Sequence, residues 1–352
     1  MKNLFIVDIE PLDGRYTKQW QTWIPELATI HLGDKMNIVP IKGHSEGYDV
    51  PQSGSFFNFF ATCEYKASQA LAISKLFQDG KVQEDDIFFF TDAWNQTIHS
   101  VMYMSELSNI KVKMAGIFHA GWYDPTDILG YTIKNTAWAK ELERSYFYAL
   151  DKIFFGTQQH LDKFHKNLDL ASDSKSKVCG YPLEYIKELR NTNVKKNIVV
   201  FPHRLNPDKA PWIFDILEQE VIALRPDIKF IKTQEQNFSK DQYYDLLKTC
   251  KVIFSANKHE NLGIGTFEAM TAGCLPILPD KLSYAEMYSS EFKYQVEDDF
   301  YENFDAYKMN LVDMIISFID GYDDLYDIWS SDVNNIQNKF FSGTQMLESM
   351  LL

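Results

Sequence analysis

The stretch SANKHENLGIGTFEAMTAGCLPIL, residues 255-278, indicates the fold because it carries a strand into a helix through a loop that contains glycine. The strand is predicted to end at Ser255, a loop to carry Glu260, Gly263 and Gly265, and the helix to start with Thr266 and Glu268. Glycine lets a ligand approach the backbone closely, and a helix N-terminus presents unpaired N–H groups with a partial positive charge. The sequence therefore predicts a diphosphate site at the start of this helix.

Two glutamates flank that helix start, Glu260 in the loop and Glu268 inside the helix. A carboxylate accepts two hydroxyl hydrogen bonds at once, as the vicinal hydroxyls of a sugar require. The alternative interpretation is structural: the glycines serve the loop, and a glutamate stabilises the start of the helix.

Apolar strands alternate with amphipathic helices along the chain. The predicted strands are 3-9, 36-41, 86-91, 111-118 and 151-155 in the first half, and 197-201, 228-232, 251-255 and 275-278 in the second. Strands that alternate with helices of about 10–15 residues predict parallel sheets built from βαβ units. Two such series predict an α/β protein with two Rossmann-like, doubly wound domains that face a cleft. Ligands of such folds lie at the carboxyl ends of strands.

The composition is that of a globular protein, with 45% hydrophobic and 24% charged residues among 352. It excludes disordered, collagen-like and disulfide-stapled proteins. The net charge of -14 argues against a non-specific nucleic-acid coat protein. No apolar run approaches the roughly 18–20 residues of a membrane span, and the first residues indicate a buried strand rather than a signal peptide. We therefore expect a cytoplasmic protein with no transmembrane contact.

Metal and disulfide sites are not predicted. The four cysteines form no C-x-x-C pair and lack histidine partners at zinc spacing, so we expect reduced, buried thiols. The acid pairs 85-86, 298-299 and 323-324 lie in turns or on polar faces, where solvation explains them.

A second informative stretch is VVFPHRLNPDKAPW, residues 199-212, which follows the first strand of the second half. It places Arg204 and Lys209 in a loop and a helix start. Two cations held there can clamp phosphates, and arginine suits bidentate binding. The alternative for each is solvated surface charge, which is the stronger alternative for Lys209.

Together these features resemble the retaining glycosyltransferases of family four. The spacing E-x7-E from Glu260 to Glu268, continuing as EAMTAGCLPI, is similar to their nucleotide-sugar motif. The R-x4-K from Arg204 to Lys209 is similar to their phosphate-binding pair. The resemblance covers about residues 197-290. That family has the GT-B fold, with the donor on the C-terminal domain and the acceptor on the N-terminal one.

The resemblance implies a domain assignment for the whole chain. Residues 1-182 would form the N-terminal, acceptor-binding Rossmann-like domain, and 183-196 a linker. Residues 197-325 would form the C-terminal, nucleotide-sugar-binding Rossmann-like domain. Residues 326-352 would form a C-terminal helix that crosses back to the first domain.

The resemblance also implies roles for single residues. Arg204 and Lys209 would bind the diphosphate of a nucleotide sugar, best expected as UDP-linked, and stabilise it as leaving group. Glu260 and His119 would contact the sugar. The expected donor-binding residues are Gly263, Ile264, Gly265, Thr266, Glu268 and Gly14, with Glu268 on the ribose. Two positions depart from the family: Gly14 stands alone where two glycines are common, and Asn261-Leu262 replaces a Gly-aromatic pair.

The implied chemistry requires no cofactor beyond the donor and no metal. In the retaining family the leaving phosphate is thought to accept the acceptor's proton, so no dedicated base is needed. An inverting enzyme would need one, and Asp92 and Asp124 are the candidates at strand ends. Two further alternatives remain, a GT-B epimerase or phosphorylase and a scaffold that has lost catalysis.

The acceptor is the least defined part of the prediction. Aromatic residues near the first half's expected cleft are Phe56, Phe57, Phe59, Trp94, Trp122 and Tyr123. Trp122, Tyr123, Asp124 and Asp92 are the predicted acceptor residues. The stretch IEPLDGRYTKQW, residues 9-20, resembles glycosyltransferases encoded by T-even-like phages, some of which transfer glucose or arabinose to 5-hydroxymethylcytosine in double-stranded DNA. A bacterial glycan or lipid-linked acceptor is the alternative.

Overall fold

The computed structural model describes residues 1-47, 58-190 and 193-351. The chain divides into two compact units, Met1–Leu183 with Ser342–Leu352, and Glu184–Phe341. Residues 342-352 thus belong to the first unit, whereas most of the segment predicted to cross back, 326-341, lies in the second.

The first unit is built on a six-stranded sheet. Its strands are β1 (Lys2–Val7), β2 (Met36–Ile41), β3 (Ile87–Phe90), β4 (Lys113–Ile117), β5 (Lys152–Phe155) and β6 (Ser176–Val178). Their order is β2-β1-β3-β4-β5-β6, and all five pairings are parallel. Every residue of β3, IFFF, is buried, because a parallel sheet is covered by helices on both faces.

Helices connect these strands in the expected βαβ manner. They are α1 (Tyr16–Leu32), α2 (Phe59–Gln78), α3 (Thr97–Ser108), α4 (Ile128–Thr132), α5 (Thr136–Ala149), α6 (Gln158–Asn167) and, at the end of the chain, α13 (Thr344–Met350), which packs against α1. The predicted residues Phe56 and Phe57 lie outside the described residues. Asn58 caps α2 by accepting a hydrogen bond from the Ala61 N–H at 3.2 Å.

The second unit contains a five-stranded sheet. Its strands are β7 (Lys196–Phe201), β8 (Lys229–Lys232), β9 (Cys250–Phe254), β10 (Leu275–Pro279) and β11 (Lys293–Tyr294), in the order β11-β10-β9-β7-β8, all parallel. Its helices are α7 (Pro211–Leu224), α8 (Lys240–Leu247), α9 (Ile264–Thr271), α10 (Leu282–Met287), α11 (Lys308–Asp320) and α12 (Tyr326–Phe340). Two parallel-sheet α/β units confirm the predicted fold class.

The strand order reverses once in each sheet. In the first unit β1 pairs with β2 on one side and with β3 on the other; in the second, β7 pairs with β8 and β9 in the same way. The two loops that leave such a switch point diverge to opposite faces of the sheet and leave a crevice between them. This topology predicts that ligand groups lie beside the carboxyl ends of β1 and β3, and of β7 and β9.

No helix among the described residues is long and apolar enough to cross a membrane. Within the same ranges, no cluster of three or more His, Cys, Asp and Glu side chains could hold a metal ion. All four cysteines are free thiols; Cys63 is exposed and the other three are buried.

Candidate functional site

The loops after β7 and β9 bring the motif residues of the second unit together. The first loop carries Arg204 and Lys209, and the second carries Glu260 ahead of α9. The Lys258 N–H donates to the Asp208 carbonyl oxygen at 2.8 Å, which joins the two loops directly. Residues separated by about fifty positions in sequence therefore share one edge of the sheet, as its topology requires.

Lys209 and Glu260 form the centre of this site. The Lys209 ammonium donates to the His259 carbonyl oxygen at 2.5 Å and to Glu260 Oε2 at 3.2 Å. The Lys209 side chain is 7% exposed and that of Glu260 19%, so the pair is largely desolvated yet reachable on the glutamate side. Asp208 lies 3.6 Å from the same ammonium.

The charge state of Glu260 follows from these contacts. Burial alone would raise the pKa of its carboxyl, but the Lys209 charge, together with smaller contributions from His203, His259 and the Gly263 N–H, outweighs burial and holds that pKa at about 2. The Gly263 N–H donates to Glu260 Oε1 at 3.0 Å, and Asn257 Nδ2 donates to Oε2 at 3.2 Å. Glu260 is therefore ionised, fixed and able to accept further hydrogen bonds from a ligand.

Arg204 is more accessible to solvent than Lys209, the other cation of this site. Its side chain is 40% exposed, and its guanidinium lies 3.8 Å from Asp208 Oδ2, a contact too long for a hydrogen bond. An exposed guanidinium beside a buried ammonium offers an anion two cations at different depths. This arrangement suits a diphosphate, whose two phosphates differ in their distance from bulk solvent.

His203 is a site residue that the sequence analysis missed. It follows β7 and is buried, and its Nε2 has no hydrogen-bond partner among the described residues. Burial, reinforced by the charge of Lys209, lowers the pKa of His203 to about 3, so the imidazole is neutral at neutral pH. The cue in the sequence was a histidine directly between a strand-ending proline and Arg204.

Gly263 has a conformational reason to be glycine. Its φ of 74° and ψ of 46° lie in the left-handed region, and a Cβ there would stand 2.9 Å from the Tyr284 ring. At Gly265 a Cβ would meet nothing closer than 3.7 Å. The Gly263 N–H already serves Glu260, so the amides left for a ligand are those of the first turn of α9, at Ile264, Gly265 and Thr266.

Glu268 lies inside α9, where its carboxylate is held from α8. Lys240 Nζ and the Tyr244 hydroxyl each donate to Oε1 at 2.8 Å, and the Tyr243 hydroxyl donates to Oε2 at 3.2 Å. The Glu268 side chain is 5% exposed. A ribose diol that binds this carboxylate would either share the carboxylate with the donors on α8 or displace them. The sequence did not point to any of these α8 donors.

In the first unit, a cavity of about 370 Å³ lies beside the carboxyl ends of β1 and β3. Of the four predicted acceptor residues, Asp92 lines it. The Asp92 carboxylate accepts from Lys66 Nζ at 2.7 Å, and although burial opposes ionisation, Lys66 lowers the Asp92 pKa below its usual value. Glu10, also in the lining, has its pKa raised by burial against the opposing charge of Lys66.

His119 lines the same cavity, after β4. Its Nε2 lies 2.7 Å from the Thr91 carbonyl oxygen and must donate to it, so Nδ1 accepts from the Tyr16 hydroxyl at 3.0 Å. Burial lowers the His119 pKa, in keeping with this neutral tautomer. A sugar hydroxyl would have to replace Tyr16 to reach Nδ1.

The structure places Trp122, Tyr123 and Asp124 outside the lining of this cavity. The Tyr123 N–H donates to Glu143 Oε2 at 2.9 Å, and Trp122 packs against the hydrophobic core. Asp124 is fully buried and accepts from Lys163 Nζ at 2.6 Å. These three positions form the turn after β4. A location at the end of a strand suits a structural turn as well as a ligand site.

Gly14 lies in the turn before α1 and has a φ of 76°. A Cβ there would meet no atom within 4 Å, so its glycine character serves the turn rather than a close contact inside the chain.

No protein-family model matches the chain. Over 166 residues the chain is 26% identical to tRNA-queuosine alpha-mannosyltransferase of Drosophila melanogaster, a match that covers 35% of this chain and 44% of that protein. The chain thus spans less than half the length of this curated relative.

Solved structures are similar over more of the chain. Sucrose-phosphate synthase from Thermosynechococcus elongatus matches with a TM-score of 0.64 at 11% identity, covering 100% of this chain and 98% of that one. A variant of TarM from S. aureus, in complex with fondaparinux, alpha-GlcNAc-glycerol and UDP, matches with a TM-score of 0.54 at 15% identity, covering 84% and 58%. At these identities the likeness establishes the fold alone, and the chain has the GT-B fold found in glycosyltransferases.

Proposed function

We propose that this protein is a glycosyltransferase that moves a sugar from a UDP-linked donor to a hydroxyl group of its acceptor. The observation that carries the proposal is the Lys209–Glu260 pair, with Arg204 beside it, at the switch point of the second unit's sheet. This cluster places a buried cation, Lys209, and an accessible one, Arg204, beside the ionised carboxylate of Glu260. The two cations supply positive charge for a diphosphate, and the carboxylate accepts hydrogen bonds from sugar hydroxyls.

The proposed chemistry rests on electrostatics. Breaking the bond between sugar and diphosphate develops negative charge on phosphate and positive charge on the sugar. Arg204, Lys209 and the first-turn amides of α9 stabilise the leaving diphosphate, and they need no metal ion or cofactor to do so. Glu260, with its pKa at about 2, remains ionised throughout and holds the sugar through its hydroxyls.

We propose a retaining outcome. The two strand-end carboxylates considered as bases are both engaged by lysines, Asp92 with Lys66 at 2.7 Å and Asp124 with Lys163 at 2.6 Å. A carboxylate stabilised as an anion by an adjacent ammonium is a weak base. In the retaining reaction that we propose, the leaving phosphate accepts the proton of the incoming hydroxyl.

For the donor, we propose that Glu268 binds the ribose and that the nucleotide is UDP. The TarM structure similar to this chain holds UDP, which supports this choice. For the acceptor, we propose a hydroxyl group on a modified nucleoside, in the cytoplasm. The resemblance of residues 9-20 favours 5-hydroxymethylcytosine in DNA, and the name of the mannosyltransferase relative favours a modified nucleoside of tRNA.

The test is a transfer assay with a panel of UDP-sugars. Duplex DNA that contains 5-hydroxymethylcytosine and total tRNA serve as separate acceptors, followed by digestion and mass spectrometry of the nucleosides. A hexose or pentose mass on one nucleoside identifies the acceptor. Release of UDP without either product moves the acceptor to a glycan or lipid-linked hydroxyl.

Arg204→Ala provides the internal check on the phosphate clamp. Loss of one preorganised cation at a developing charge should lower kcat by about 100- to 1,000-fold. Arg190→Ala is the matched control, because Arg190 is exposed and, among the described residues, its side chain hydrogen-bonds only Asn334. Activity retained in Arg204→Ala would refute the clamp.

A further inference from the structure

The buried end of the cavity in the first unit carries charged groups that the proposed donor chemistry does not use. Glu10, Lys66 and Asp92 meet there, 10%, 5% and 13% exposed at their side chains. They come from the loop after β1, the middle of α2 and the loop after β3. Three ionisable side chains from three elements converge on one desolvated point.

Lys66 has one N–H donor that makes no hydrogen bond to the described residues. Its ammonium carries three N–H donors. One donates to Asp92 Oδ2 and another to the Trp94 carbonyl oxygen, both at 2.7 Å. Within the described residues, the third donor has no acceptor at hydrogen-bond distance.

In the described part of the chain, Glu10 lacks a hydrogen-bond donor at one of its carboxylate oxygens. Its Oε1 is buried and has no hydrogen-bond partner among the described residues. Lys66 Nζ lies 3.8 Å from that oxygen, an ion-pair distance beyond the roughly 3.2 Å limit of a hydrogen bond. A buried carboxylate oxygen left in this state is costly, and a group that donates to it would be strongly favoured.

A hydroxyl group satisfies both side chains at once, because it donates one hydrogen bond and accepts others. Resting on the proposed function, we propose that Glu10 and Lys66 bind the acceptor's hydroxyl: Glu10 Oε1 accepts its hydrogen, and the Lys66 ammonium donates to its oxygen. These two side chains lie outside the sequence motifs and have no part in the proposed retaining reaction. They recognise the acceptor and take no part in holding the donor.

The rest of the cavity defines the body that carries this hydroxyl. Its walls are mainly apolar, and include Leu12, Phe59, Leu129 and Ile133 with the ring of Trp94. The volume of about 370 Å³ lies within the range of about 300–1,000 Å³ for small-ligand pockets. An apolar slot with aromatic walls suits a flat, uncharged ring such as a nucleobase.

Charge disfavours an anionic group at the buried end, although Arg15 also lines the cavity. Two carboxylates, Glu10 and Asp92, stand there against one ammonium, Lys66. A phosphate or carboxylate would meet net repulsion, whereas a neutral hydroxyl would not. The ligand class is therefore a neutral, ring-bearing alcohol, which a hydroxymethylated base exemplifies.

The experiment measures the affinity of the whole protein for two nucleosides, 5-hydroxymethyl-2′-deoxycytidine and 5-methyl-2′-deoxycytidine, by calorimetry or saturation-transfer NMR. They differ by the hydroxyl alone. A hydrogen bond to a charged group gives a preference of about 10- to 100-fold for the hydroxymethyl nucleoside. Glu10→Leu should reduce that preference to about twofold, and Glu10→Gln, which keeps the shape and one acceptor oxygen, should reduce it partly.

Glu106→Gln is the control, because Glu106 is an exposed acid on α3. Thermal melts establish that each variant is folded, and UDP affinity reports on the proposed donor site separately. A wild-type protein that binds UDP but does not distinguish the two nucleosides overturns the inference, as does a folded Glu10→Leu variant that keeps the preference. Absence of UDP binding and of UDP release from any donor instead overturns the proposed function.

Discussion

Replacing Lys209 by methionine separates the two roles of this side chain, one in the fold and one at the phosphate. Methionine has nearly the same length, so Lys209→Met keeps the volume and removes the charge. It breaks the hydrogen bonds to the His259 carbonyl oxygen and to Glu260, at 2.5 and 3.2 Å. Glu260 is then left in a largely buried site without its principal counter-charge.

Two magnitudes follow from this geometry. Removing one partner of a buried ion pair costs about 3–5 kcal/mol, and the 19% exposure of Glu260 places this pair near the lower value, about 3 kcal/mol of unfolding free energy. Loss of a charge-assisted hydrogen bond to phosphate costs about 1.5–3 kcal/mol, which corresponds to UDP binding about 10- to 150-fold weaker.

The double variant Lys209→Met/Glu260→Gln tells the two effects apart. It removes the unpaired charge of Glu260, and Asp208 keeps the Arg204 guanidinium at 3.8 Å. Most of the lost unfolding free energy should therefore return, while UDP affinity stays low. Lys229→Met, an exposed lysine on β8, is the control and should change neither quantity.

The assays are calorimetric titration with UDP and chemical denaturation, both on the full chain. Weak UDP binding by the single and double variants, with stability restored in the double variant alone, fits the account. UDP affinity unchanged in Lys209→Met would refute the assignment of Lys209 to the diphosphate.

Three further predictions concern the same unit. Glu268→Gln should weaken UDP-ribose contacts and raise the Kd for UDP by about tenfold while leaving the Kd for inorganic diphosphate unchanged, and equal effects on both ligands would exclude a ribose role. Gly263→Ala should lower the unfolding free energy by about 1–3 kcal/mol, since it forces a left-handed residue against Tyr284, whereas Gly265→Ala should be nearly neutral; equal losses in denaturation would contradict the backbone argument. Because the folded pKa of His203, about 3, lies below its ordinary 6.5, the unfolded chain binds the proton first and stability falls as the pH drops from 6.5 towards 3. His203→Phe should flatten that fall in denaturation curves measured between pH 7 and 4.5, and an unchanged slope would count against a buried neutral imidazole.

The second unit's site could be predicted largely because its chemistry is local in sequence. Arg204 and Lys209 occupy one strand-to-helix loop, and Glu260 and Gly263 another, so short motifs contain them. The alternation of strands and helices also predicts the parallel sheets, which bring the ends of β7 and β9 together. The αL conformation of Gly263 agrees with a glycine at that loop-to-helix junction.

The contacts that the sequence could not predict join residues that are far apart along the chain. Lys66 lies in the middle of a helix, 56 positions after Glu10, and only the packing of α2 on the sheet brings its ammonium within 3.8 Å of that carboxylate. Lys240 and the tyrosines of α8 reach Glu268 in the same way. The predicted acceptor residues Tyr123 and Asp124 illustrate the reverse: they follow a strand, but their side chains are buried in the unit, where Tyr123 contacts His160 and Asp124 contacts Lys163.

Hydrogen–deuterium exchange of the full chain with and without UDP tests the central claim most directly, because it reports where the nucleotide binds. We expect slower exchange in peptides that cover the loop after β7, residues 202-210, and the loop after β9 with the start of α9, residues 257-268. At the same UDP concentration, the slowing at those peptides should be smaller in Lys209→Met. Slower exchange confined to other segments, or none at saturating UDP, would contradict a diphosphate site built on Arg204, Lys209 and the N-terminus of α9.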